Sequence, residues 1–238
     1  MKKVTNNISQ TQKAFSPFER TGVRLKVCGM KYQDNIKAVA SLQPDYLGFI
    51  FYKKSARYFD GDIPKISSSI KKVGVFVDAD LSDVLEKVNT YNLQAVQLHG
   101  HESPEFCNEL KSHFEQSEKS HKIELIKVFS IKDNFNFDLL KPYELVCDYY
   151  LFDTKGQLPG GNGYTFDWNV LKTYPSTKPF FLSGGIGIEE VEKIKEFKDN
   201  VVSKYCYAID VNSKFEIEPG LKNIELLKEF KNKLCHFE

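Results

Sequence analysis

From Arg24 onward, short apolar runs alternate with stretches whose apolar residues recur at helical spacing. Eight runs read as buried strands: residues 24–29, 46–52, 72–78, 95–100, 125–130, 149–154, 179–185 and 207–213. Each is short, rich in Val, Ile, Leu, Phe or Tyr, and bounded by polar, Gly or Pro residues. Between them, 34–42 sets Ile36, Val39 and Ala40 on one face, and 80–91 sets Val84, Leu85 and Val88 behind Asp80. Residues 103–110 open with Ser-Pro, a favourable helix entry. Residues 188–197 and 224–234 are amphipathic. The segment after the second strand has a weak helical pattern, and those after the fifth and sixth are short.

Strict alternation of strand and helix predicts parallel strands joined by right-handed crossovers. About eight repeats close into a single (β/α)₈ TIM barrel over residues 24–238, near the small end for that α/β fold. An open doubly wound sheet is the competing arrangement. It would place G-x-G-x-x-G after the first strand, where this chain has VCGMKYQD. Residues 1–23 are polar and weakly patterned, and read as an N-terminal extension.

Composition narrows the possible roles. A net charge of +1 favours neither nucleic acid nor an anionic membrane as partner. No apolar run approaches the length of a membrane span, and the opening MKKVTNN lacks the apolar segment of a secretory signal. The five cysteines are scattered, with no C-x-x-C, which points to a reducing, cytoplasmic setting. The histidines have no metal-ligand spacing, so no metal is expected.

In such barrels, function collects where strands end. The ends here are Cys28-Gly29, Phe51, Asp78, His99-Gly100, Ser130, Asp153-Thr154, Gly184-Gly185 and Asp210, and the strand middles read as apolar. Cys28 reads either as a small buried hydrophobe or as a thiolate base. Asp153 follows an apolar run. Partial desolvation would raise its carboxyl and suit a proton donor, although a turn-capping role fits equally. Four glycines follow it (Gly156, Gly160, Gly161 and Gly163), the composition of a loop that closes over a ligand. Gly184-Gly185 and Asn212-Ser213 follow the seventh and eighth strands, where this fold often holds phosphate with backbone amides; tight-turn geometry is the plainer reading. Arg57 suits bidentate capture of a carboxylate, or forms a solvated basic loop with Lys53 and Lys54. His99 has the ordinary reading of a strand-end histidine bonded to backbone.

Seven blocks in order (KVCGMKYQDNIKAV, DYLGFIFYKKSARYF, VGVFVD, AVQLHGHESPEFC, FDTKGQLPGGNGYTFDW, FLSGGI and AIDVNSKFEIEPGLKN) strongly resemble the phosphoribosylanthranilate isomerase family of tryptophan biosynthesis. The resemblance runs from about Leu25 to Leu234. It implies a (β/α)₈ barrel without cofactor, acting as monomer or homodimer. The implied reaction is an Amadori rearrangement of N-(5′-phosphoribosyl)anthranilate to 1-(2-carboxyphenylamino)-1-deoxyribulose 5-phosphate. By the same resemblance Cys28 is the general base and Asp153 the general acid, with the thiol pushed down and the carboxyl up. Arg57 holds the anthranilate carboxylate and Asp210 lies near the sugar, and His99 is expected as a further substrate-binding residue. Gly184, Gly185, Asn212 and Ser213 hold the phosphate. Two departures stand out: Ala56 replaces the family's usual proline before Arg57, and Asn162 stands where threonine is common.

Overall fold

The computed structural model describes residues 24–116, 122–132, 134–154 and 165–235. The expected extension over 1–23 and the glycine-rich loop from 156 to 163 lie outside those residues. The strands are β1 (Leu25–Val27), β2 (Tyr46–Ile50), β3 (Lys71–Phe76), β4 (Ala95–Leu98), β5 (Glu124–Ile131), β6 (Tyr149–Thr154), β7 (Phe180–Leu182) and β8 (Cys206–Val211). All pair in parallel in chain order, and β8 closes onto β1 through Leu25↔Ile209, Lys26↔Asp210 and Val27↔Val211. The eight expected strands are therefore all present, in the expected closed barrel.

The helical layer is thinner than strict alternation predicted. Helices α1 (Gln33–Ser41), α2 (Leu81–Thr90), α3 (Pro104–Gln116), α4 (Val191–Lys198) and α5 (Ile224–Cys235) follow β1, β3, β4, β7 and β8. After β5 and β6 the described residues make only 3₁₀ turns, Phe137–Tyr143 and Trp168–Thr173. The β2–β3 connection forms no helix. Its Gly61, Pro64 and serine-rich 67–69 break helical periodicity. Burial there rests on Phe59, whose ring meets Phe49 edge-on at 5.0 Å. Conversely, α3 runs past the expected end at 110, because Phe114 continues the buried stripe of Cys107 and Leu110.

Alternation along the strands produces two cores. Outward residues such as Leu47, Phe49, Tyr150 and Phe152 pack in the layer between barrel and helices. Inward residues such as Tyr46, Ile126, Leu151 and Phe181 fill the barrel. Tyr46 and Tyr149 open their strands, so their rings, with Tyr207 and Phe181, close the N-terminal end. Their hydroxyls have a polar anchor: Tyr46 donates to Glu124 at 3.0 Å, and Glu124 is paired with Lys71. The interior is thus plugged at one end and open only where the strands finish. Past β8, a short hairpin of β9 (Glu216–Glu218) and β10 (Leu221–Lys222) folds over that open end.

Candidate functional site

Parity along the strands decides which side chains reach the open end. Leu25 and Val27 face outward, so Lys26 and Cys28 face inward. The same rule turns Gln97 and His99 inward past Val96 and Leu98, Asp153 inward past Phe152, and Asp210 inward between Ile209 and Val211. One cleft receives them. All nine residues expected at the site line it: Cys28, Arg57, His99, Asp153, Gly184, Gly185, Asp210, Asn212 and Ser213. Asp78 does not. It turns away to accept the backbone N–H of His101, and so shapes the loop after β4.

Asp153 and His99 meet directly. Asp153 Oδ2 lies 3.3 Å from His99 Nε2, while Oδ1 accepts the Thr154 backbone N–H at 2.9 Å. His99 Nδ1 is 3.3 Å from the Gln97 side-chain amide. The His99 ring therefore bridges two side chains across the cleft floor, where its plain reading had expected a backbone partner. Behind it, the buried Lys127–Glu102 pair at 3.0 Å braces the loop after β4: Glu102 accepts the Asp78 and Gly100 N–H groups, and Lys127 donates to the Gly100 carbonyl.

Cys28 is buried against β2. A Cβ placed on Gly48 would come within 2.7 Å of its sulfur, so glycine there makes room for the thiol. Burial pushes the thiol up, against the expected depression. Lys26 and Lys222 pull it back down, and Asp210 adds to the rise.

Three charged residues at the cleft were not foreseen, because mid-strand and hairpin positions carry no motif. Lys26 is fully buried in the middle of β1, contrary to the reading of apolar strand middles, and donates to Asp210 Oδ2 at 2.9 Å. Glu216 accepts from Arg57 Nε at 2.9 Å and from Nη2 at 2.7 Å. Lys222, clamped by backbone bonds to Asn35 of α1, reaches Glu216 at 2.8 Å and Asn212 Oδ1 at 2.7 Å. Burial opposes the Glu216 charge, yet Arg57 and Lys222 together hold its carboxyl below the usual range. Burial brings Lys222 down to about 8. The hairpin thus ties the arginine loop to the loop after β8. Lys31 adds a further strut by donating to the Ala56 carbonyl at 3.2 Å.

Gly184 and Gly185 both have positive φ, +92° and +67°. A Cβ on Gly184 would sit 2.2 Å from Thr154 Oγ1 and 2.4 Å from its backbone nitrogen. Glycine therefore lets the β7 loop pack closely on the end of β6 at the edge of the cleft. Opposite, Asn212 precedes the 3₁₀ turn Ser213–Phe215, and Lys222 occupies its side-chain oxygen. Among the described residues, no group of three or more His, Cys, Asp or Glu is arranged to hold a metal ion.

A closed parallel barrel with a polar cleft at its strand ends, lined by a thiol, an imidazole and two carboxyls and bordered by the Gly184-Gly185 turn, defines a (β/α)₈ barrel enzyme. A profile of the family described as N-(5'phosphoribosyl)anthranilate (PRA) isomerase matches residues 25–233, and the chain belongs to that family. A Parabacteroides distasonis protein named N-(5'-phosphoribosyl)anthranilate isomerase is 42% identical over 220 residues, covering 89% of this chain and 93% of that protein. Its namesake from Phocaeicola vulgatus is 38% identical over 210 residues, covering 88% and 97%. The crystal structure of phosphoribosyl anthranilate isomerase from Thermotoga maritima matches with a TM-score of 0.74 at 28% identity, over 89% of this chain and 98% of that one. A structure of the enzyme in complex with reduced 1-(o-carboxyphenylamino)-1-deoxyribulose 5-phosphate matches at 0.69 and 26% identity, over the same shares.

Proposed function

We propose that the chain isomerises N-(5′-phosphoribosyl)anthranilate to 1-(2-carboxyphenylamino)-1-deoxyribulose 5-phosphate in tryptophan synthesis, by acid–base catalysis between Asp153 and Cys28. The observation that carries this reading is the convergence of a thiol from β1 and a carboxyl from β6 on one cleft in a member of this family. Asp153, oriented by His99 and Thr154, donates a proton to the ribose ring oxygen and opens the ring. The nitrogen lone pair then forms a protonated Schiff base, which makes the C2′ proton acidic. Cys28 as thiolate removes that proton, and the enolamine tautomerises to the ketone.

Binding falls to the rim. The outer edge of Arg57 takes the anthranilate carboxylate while Glu216 keeps its other edge. Asp210, whose buried Oδ1 has no hydrogen-bond partner among the described residues, accepts a sugar hydroxyl. Gly184, Gly185 and the Asn212-Ser213 backbone hold the phosphate, which orients a carbon remote from it. No cofactor enters these steps. Residues 24–238 act as one catalytic barrel and 1–23 as an extension to it. The enzyme works in the cytoplasm as a monomer or homodimer, with neither nucleic acid nor membrane as partner; no described helix is long and apolar enough to cross a membrane. Complementation of a tryptophan auxotroph lacking this isomerase tests the activity: growth without tryptophan is expected, and failure of a well-expressed, folded chain to support it would overturn the reading.

A further inference from the structure

Lys26 is a buried charge beside the cleft that the reaction above leaves without a task. It sits at 0% exposure inside a barrel whose packed interior is built mainly of aromatic and aliphatic residues. Burying an ammonium costs several kcal/mol even after relaxation, so it persists only with compensating partners. Two are present. Asp210 stands directly across from Lys26 in the β1–β8 register and accepts at 2.9 Å. The other is Cys28, two residues further on and on the same inward face, whose charge when ionised favours the Lys26 ammonium.

We propose that Lys26 is a positioning residue for the reaction, its ammonium held by Asp210 beneath Cys28 so that it stabilises the thiolate from inside the barrel. This rests on the reading of Cys28 as the base. In the proton-abstraction step the C2′–H bond breaks, its electron pair stays on the substrate to form the enolamine, and the proton goes to sulfur. Lys26 keeps all its protons in both states and contributes charge alone. The charged groups facing the thiol are Lys26 from β1, Asp210 from β8 and Lys222 from β10. Asp153 and His99 lie behind Asp210. Burial works against the Lys26 charge, but Asp210 and Cys28 outweigh it and raise the ammonium above its ordinary range. Lys222, brought down to about 8, loses its charge sooner. The burden of the pair falls on Asp210, which burial lifts above the usual carboxylate range despite Lys26.

The test is the pH dependence of iodoacetamide alkylation at Cys28, followed peptide by peptide in the full chain so that Cys107, Cys147, Cys206 and Cys235 are read separately. Lys26→Met is expected to move the alkylation midpoint upward, so that the rate at pH 8 falls at least about tenfold, in proportion to the thiolate fraction. Because removing Lys26 strands a buried carboxylate and endangers the fold, the same comparison is made between Asp210→Asn and Lys26→Met/Asp210→Asn. The double variant is expected to alkylate with the higher midpoint. Coincident profiles in both comparisons would overturn the proposal by themselves. A Cys28→Ala enzyme with wild-type turnover would instead overturn the base assignment, and the catalytic meaning of Lys26 with it.

Discussion

Gly48 gives the sharpest handle on the site, because its position leaves no room for a methyl group. A Cβ built there meets Cys28 Sγ at 2.7 Å, Cys28 Cα at 3.1 Å and Cys28 Cβ at 3.3 Å. Ordinary contact begins at 3.4 Å, so Gly48→Ala asks the sulfur to retreat by 3.4 − 2.7 = 0.7 Å and the backbone of β1 to yield slightly. Overpacking of this kind costs about 1–3 kcal/mol, which corresponds to a melting-temperature drop of roughly 2–4 °C per kcal/mol for a chain of this size. The catalytic effect is expected to be larger in proportion. A displacement approaching 1 Å in a positioned group costs up to about 100-fold in rate, so kcat should fall about 10- to 100-fold, equivalent to about 1.4–2.7 kcal/mol. KM should stay within about twofold, since the binding groups at the rim are untouched. Steady-state kinetics with thermal melts measures both. Gly61→Ala is the control, because its nearest atoms to a built Cβ lie at 3.9 Å. Wild-type kcat in a folded Gly48→Ala protein would refute the claim that the sulfur's position against β2 matters to the chemistry.

Other consequences can be checked alongside. Glu216→Gln frees the anchored edge of Arg57 and should raise KM about tenfold with kcat changed much less; an unchanged KM would show that Arg57 needs no anchor. Lys127→Met leaves Glu102 buried and unpaired, which should cost about 3–5 kcal/mol in denaturant unfolding; a loss below about 1 kcal/mol would contradict the bracing role of this pair. The pH dependence follows from Lys222. Its ammonium titrates near 8 in the fold against 10.5 ordinarily. As pH rises through about 8 it releases Asn212 and Glu216, so KM should rise there, and Lys222→Met should remove that step. Stability moves the other way. Between about 8 and 10.5 the unfolded chain binds more protons at this site than the fold does, so this group's contribution to stability grows with pH across that window and is lost as pH falls through about 8. Urea midpoints of wild type and Lys222→Met, compared across that range, give the measurement.

The barrel was legible because parallel strands buried on both faces read as apolar runs, and β5, with Leu125, Ile126 and Val128, could hardly be read otherwise. The strand ends that carry the site were legible for the same reason: polar residues such as Asp153 stand out against an apolar run. Lys26 was not, since a lysine between Leu25 and Val27 reads as solvent-facing on an ordinary amphipathic strand. Only closure of the barrel turns that face inward, toward a carboxylate 184 residues away in the chain. The Arg57–Glu216–Lys222 chain was hidden likewise, though Pro219-Gly220 between Glu216 and Lys222 does carry a turn signal. The depression expected for the Cys28 thiol followed from chemistry alone. The fold adds a burial that periodicity does not quantify. The absent helix after β2 could be inferred from Gly61, Pro64 and the serines, had its weak pattern been weighed against the expectation of eight repeats.

The central claim is that Cys28 and Asp153 carry the proton transfers. Its most direct test is the rate at which purified enzyme consumes N-(5′-phosphoribosyl)anthranilate, followed by loss of substrate fluorescence, for wild type, Cys28→Ala and Asp153→Asn. Wild type should turn over, and each variant, folded by circular dichroism, should lose about 10²–10⁴-fold in kcat. Either variant retaining near-wild-type kcat would contradict the account.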